Sequence, residues 1–92
     1  MTHNLKIKKQ YADRVVTGEK PFEVRINDRD YQTGDILRFT VVDIASKPIE
    51  HKLNETRYVI TYILPLEKFT PTNYVVLGIR EAGEQDEREE MK

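Results

Sequence analysis

The chain has 92 residues, no cysteine and a formal net charge of -1. That length holds one small domain with one modest core. It excludes a disulfide framework, a thiolate metal centre and a thiol nucleophile. No apolar run approaches the roughly 18–20 residues needed to cross a bilayer. The opening Met-Thr-His-Asn-Leu-Lys lacks the apolar core of a secretory signal, so we expect a cytoplasmic protein. The charge is uneven. Residues 81–92 carry six acidic and two basic side chains, whereas residues 1–80 carry 13 basic and 10 acidic ones. A mildly basic body followed by an acidic tail is compatible with a nucleic-acid partner without demanding one.

Leu5-Lys6-Ile7-Lys8 alternates and predicts a first strand with Leu5 and Ile7 inward. Over residues 9–17, Tyr11 and Val15 lie four apart and Ala12 and Val16 repeat that spacing, which is one face of a short helix. Gly18 is placed to end it in a left-handed conformation. Phe22, Val24 and Ile26 alternate with Glu23, Arg25 and Asn27, so a second strand is expected with its apolar face buried and its polar face outward. Pro21 should start that strand or leave it unpaired on one side.

Asn27-Asp28-Arg29-Asp30 and Gly34-Asp35 read as turns. Residues 36–43 form a strong strand with apolar residues on both faces, which suggests a closed sheet. Residues 45–55 are polar, contain Pro48 and read as a loop with little structure. Strands follow over 56–64, ended by Pro65, and over 74–80. Gly78 inside the last suggests a bend or a close approach by another backbone. The expected architecture is mainly β, a small barrel of about five to six strands with one short N-terminal helix, over residues 1–80. Residues 81–92 are expected to form a disordered acidic tail.

The string Gly18-x-Lys20-x-x-Glu23-x-Arg25 matches the ASCH signature G-x-K-x-x-E-x-R at every specified position. His3-Asn4-Leu5-Lys6-Ile7, Asn27-Asp28-Arg29-Asp30 with Gly34-Asp35, and Tyr74-Val75-Val76-Leu77-Gly78-Ile79 continue the likeness. Together they resemble a compact ASCH-like family of bacteria and phages, within the PUA-like superfamily of small β-barrels. The resemblance implies a cleft beside the helix lined by the signature residues, and RNA as the partner by analogy with PUA domains. Some ASCH members are amidohydrolases acting on an acetylated cytidine nucleoside. Their pattern places a Thr nucleophile three residues after the signature Lys and an acid/base Glu late in the chain. Here those places hold Glu23 and Leu77-Gly78, so no catalytic residue is assigned.

The residues themselves fit binding. Arg25 and Arg29 offer planar forks for phosphate or a base edge, and Lys20 offers a point charge. The Glu23 carboxylate accepts, and suits the orientation of its cationic neighbours or a base amino group. Asn27 and His3 complete the candidate set. An RNA- or nucleotide-binding module is the leading expectation, with no cofactor and no metal. Two histidines, His3 and His51, do not make a metal site by themselves. A small amidohydrolase with Lys20 as base, Glu23 as orienter or acid and water as nucleophile is the first alternative. A phage or host protein-interaction module is the second. Tyr58, Tyr62 and Tyr74 are candidates for stacking bases.

Overall fold

The computed structural model describes residues 1–86. The order is β1 (Thr2–Lys8), α1 (Lys9–Thr17), β2 (Phe22–Ile26), β3 (Ile36–Val42), β4 (Arg57–Pro65) and β5 (Tyr74–Glu81). Short 3₁₀ turns over Lys52–Glu55 and Leu66–Lys68 flank β4. The strands form one mixed sheet in the order β1-β3-β4-β5-β2. β1 and β3 are parallel, which requires a long crossover, and α1 and β2 lie within it. The other pairs are antiparallel. The sheet curls into a half-barrel whose edge strands, β1 and β2, approach each other across a gap. No helix of the described residues is long and apolar enough to cross a membrane.

The core follows period-two alternation on one sheet face. Leu5 and Ile7, Leu37, Phe39 and Val41, and Val75, Leu77 and Ile79 are all buried together. α1 closes over them with Ala12 and Val15. Gly18 ends the helix at φ 85° and donates its N–H to Val15 O, and the Lys20 N–H returns to Arg14 O. Gly78 lies opposite an irregularity in β4 where Thr61 is the extra residue. A Cβ built on Gly78 would sit 3.2 Å from Thr61 Oγ1, so the tight neighbour there is a side chain of the irregular β4 segment and not the backbone approach expected.

Two expectations need correction. The face of β2 is reversed: Glu23 is only 3% exposed, while Phe22, Val24 and Ile26 are 39%, 45% and 48% exposed. The register with β5 imposes this. Glu23 lies opposite Leu77 and Arg25 opposite Val75, both core residues, and directly opposed residues share a face. Periodicity shows that two faces differ but not which is inward. Residues 45–55 are also better ordered than a polar loop. Leu53 is fully buried, and Asn54 bridges Val41 N–H (2.7 Å) and Ile49 O (2.8 Å). Both faces of β3 bury apolar side chains, as expected: Leu37, Phe39 and Val41 on the core face, and Ile36 and Val42 at the two ends of the other face, where Arg38 and Thr40 between them are exposed.

The end of the chain is divided. Glu81 completes β5, and Asp86 accepts from Arg80 Nη1 at 3.0 Å and from Gly83 N–H at 2.9 Å. The rest of the expected tail, 87–92, lies outside the described residues.

Candidate functional site

The Gly18 turn and β2 deliver Lys20, Glu23 and Arg25 to one point. Lys20 Nζ donates to Glu23 Oε1 at 2.7 Å, and Arg25 Nε donates to Glu23 Oε2 at 3.0 Å. Both carboxylate oxygens are thus engaged by cations. That satisfaction is what lets a glutamate occupy the core face of the sheet, since an unpaired buried charge is costly. Lys20 Nζ also donates to Phe22 O at 2.8 Å. It stands 5.0 Å from the Phe22 ring centroid and 5.8 Å from that of Tyr11, within cation–π range. Arg25 Nη2 reaches across the gap and donates to Lys6 O on β1 at 2.7 Å. The same guanidinium therefore orients on Glu23 and ties the two sheet edges together. Its Nη1 has no protein acceptor among the described residues.

The gap is a cleft of about 670 Å³, within the size range of small-molecule sites. β1 contributes residues 5–8, and β2 contributes residues 23–26. Its charged lining has five cations, Lys6, Lys8, Lys20, Arg25 and Arg29, against Glu23 and Asp28, a net of +3. Three tyrosines, Tyr11, Tyr31 and Tyr74, also line it. The Arg29 guanidinium is only loosely engaged, with Nε 4.0 Å from Asp28 Oδ1. A polybasic cleft with aromatic walls suits an anion that carries a flat ring.

Tyr31 is buried, and its ring meets that of His3 edge-on at 4.8 Å between centroids. Burial pushes its phenol above the ordinary value, and the charges of Arg25 and Arg29 act against that shift. It therefore remains a neutral hydroxyl at physiological pH. His3 Nε2 pairs with Asp35 Oδ2 at 2.7 Å. Burial acts to raise the Asp35 carboxyl. The His3 hydrogen bond, the Gln32 N–H (3.1 Å) and the amino group at Met1 outweigh it and hold Asp35 below the usual carboxylate range. The second histidine is apart: His51 Nε2 pairs with Asp13 at 2.7 Å, and its Nδ1 accepts from Leu53 N–H.

Of the expected site residues, Lys20, Glu23, Arg25 and Arg29 line the cleft. His3 does not; it is buried against Tyr31 and Asp35. Asn27 does not either; its backbone N–H extends the β2–β5 ladder to Asn73 O. Among the tyrosines singled out for stacking, Tyr74 lines the cleft, Tyr58 belongs to the core and Tyr62 is exposed elsewhere. Tyr11, Tyr31, Lys6 and Lys8 were missed. Tyr11 falls at a core-like helical spacing, and Lys6 and Lys8 gave only the polar beat of a strand. Tyr31 sits in a turn segment, where nothing local marks it.

No curated protein matches the sequence. The crystal structure of hypothetical protein PH0355 has a similar fold, with a TM-score of 0.58 at 16% identity, covering 89% of this chain and 100% of that one. At that identity the likeness concerns the fold alone. The family described as a domain of unknown function, DUF3850, matches residues 2–79, and the chain belongs to it.

Proposed function

We propose that the chain is a PUA-like, ASCH-type β-barrel module that binds RNA or a nucleotide in the cleft between β1 and β2. The observation that carries this reading is the cleft itself: a net charge of +3 beside three tyrosines, with the Lys20–Glu23–Arg25 cluster at its base. Phosphate would be taken by Arg29, by the Nη1 group of Arg25 and by the third N–H of Lys20. A base would stack on an aromatic wall, an interaction that tolerates any base. The signature residues that resemble ASCH domains are the same residues that build the cluster.

Hydrolysis is the less favoured reading. The cleft lining includes no Ser, Thr or Cys, and both oxygens of Glu23 are already held by cations. Glu23 acts as an orienter of Lys20 and Arg25.

Fluorescence anisotropy with a labelled short RNA, and calorimetry with nucleoside monophosphates, test the proposal. Arg29→Ala removes an exposed, loosely engaged cation and leaves the core untouched. Loss of one charge-assisted phosphate contact, worth about 1.5–3 kcal/mol, should weaken binding by about tenfold or more. Absence of binding by any of these ligands, or binding indifferent to Arg29→Ala and Lys20→Met alike, would remove the cleft as the site.

A further inference from the structure

A second pocket adjoins the cleft on the far side of Lys20. It has a volume of about 500 Å³ and is lined by Gln10, Tyr11, Arg14, Glu19, Lys20 and Phe22. Tyr11 and Lys20 line both spaces, so the two lie side by side as a groove in two parts, with the Lys20 ammonium between them. We infer that this groove takes a single-stranded oligonucleotide of two or more nucleotides, with one nucleotide in the cleft and its neighbour in the pocket beside α1. The inference rests on the nucleotide-binding reading of the cleft and specifies its ligand.

The chemistry of the second pocket repeats that of the first. Gln10 and Arg14 lie four apart on α1 and therefore face the same way. Arg14 is exposed, and no carboxylate pairs with it among the described residues. The one acid in the lining, Glu19, accepts the Thr17 hydroxyl at 3.0 Å. Arg14 is thus a free guanidinium beside Gln10, whose amide can donate and accept at a base edge. Tyr11 and Phe22 are large rings, each more than a third exposed, on either side of Lys20. Exposed rings separated by a cation are the arrangement that single strands use, with bases on the rings and the connecting phosphate on the charge. A mononucleotide would fill one space and leave Arg14, Gln10 and Phe22 without a role. A duplex keeps its bases stacked on one another and offers no free faces to these rings.

The test compares adenosine 5′-monophosphate with 5′-phosphorylated di- and tetra-adenylate on the full chain, by calorimetry at several salt concentrations. The dinucleotide is expected to bind roughly tenfold tighter than the mononucleotide, the gain of one stacked base and one more phosphate contact. The slope of log affinity against log salt should steepen by about 0.7 for each added phosphate engaged. In Arg14→Ala, a helix-surface change, the ratio of tetranucleotide to mononucleotide affinity should fall severalfold. Mononucleotide binding with no gain in length, or a gain that Arg14→Ala leaves intact, overturns the two-pocket inference and leaves the cleft reading standing. Failure of every length to bind overturns both.

Discussion

Glu23→Gln is the most informative single substitution for the architecture of the site. The side chain keeps its size, so packing is preserved, but the carboxylate that neutralises two cations is lost. Glu23 is nearly buried, and it accepts bonds of 2.7 Å from Lys20 and 3.0 Å from Arg25. The amide offers one acceptor where there were two, and its NH₂ faces a cation. Breaking a buried charge cluster by removing one member costs about 3–5 kcal/mol. The Lys20 and Arg25 side chains keep 18% and 24% of their exposure, so water takes up part of the loss. The low end of the range, about 3 kcal/mol, is therefore expected. With a urea slope near 1 kcal/mol/M for a domain this small, the midpoint should fall by about 3 M at unchanged slope. Equilibrium urea unfolding followed by circular dichroism measures it. A loss within the roughly 0–1 kcal/mol of exposed ion pairs would refute the reasoning, because Glu23 would then be an ordinary surface partner.

Other perturbations probe the parts that carry the site. Gly18→Ala meets no atom within 4 Å of the new Cβ, so its whole effect is the left-handed backbone at φ 85°. It should cost about 1–2 kcal/mol and lower Tm by several degrees; an unchanged Tm would show that the helix ends another way. Asn54→Ala strands the Val41 N–H and the Ile49 carbonyl, and should cost about 1–3 kcal/mol with faster amide exchange at Val41. If exchange there is unaltered, the segment before β4 is not pinned by this side chain. Asp35 has a folded pKa below its ordinary value of 3.8, so its contribution is fully present above that value and is lost as pH falls through the lowered one. Asp35→Asn should therefore reduce stability at neutral pH and flatten the acid limb below about pH 4; an acid limb parallel to that of the parent protein would contradict the assignment.

Most of the fold was legible because local signals agreed. The helical spacing of Tyr11, Ala12, Val15 and Val16, followed by Gly18, placed α1 with the bounds observed, Lys9–Thr17. Alternation and turn residues placed all five strands. The errors arose where a long-range partner overrides a local pattern. In β2 the pairing of Glu23 with Leu77 decides which face is inward, and nothing between Phe22 and Ile26 encodes that register. The order of residues 45–55 depends on Leu53 entering a core built by distant strands and on His51 meeting Asp13 of α1. The charged centre of the site was legible for a different reason. Lys20, Glu23 and Arg25 are close in sequence, so a turn and one strand suffice to assemble them. The rest of the cleft wall, Tyr74 apart, was not, because Lys6 and Tyr31 join it only when the sheet curls and brings its edges together.

The proposed nucleotide site is the space between β1 and β2. Amide chemical shifts of the ¹⁵N-labelled chain, followed during titration with adenosine 5′-monophosphate and then with a short single-stranded RNA, test it most directly. Binding in that space predicts saturable shifts at Lys20, Glu23, Arg25 and Arg29 and along residues 5–8, with the residues around Asn54, which line neither the cleft nor the pocket beside it, unmoved. Saturable shifts confined to another surface, or no shift with either ligand, would contradict it.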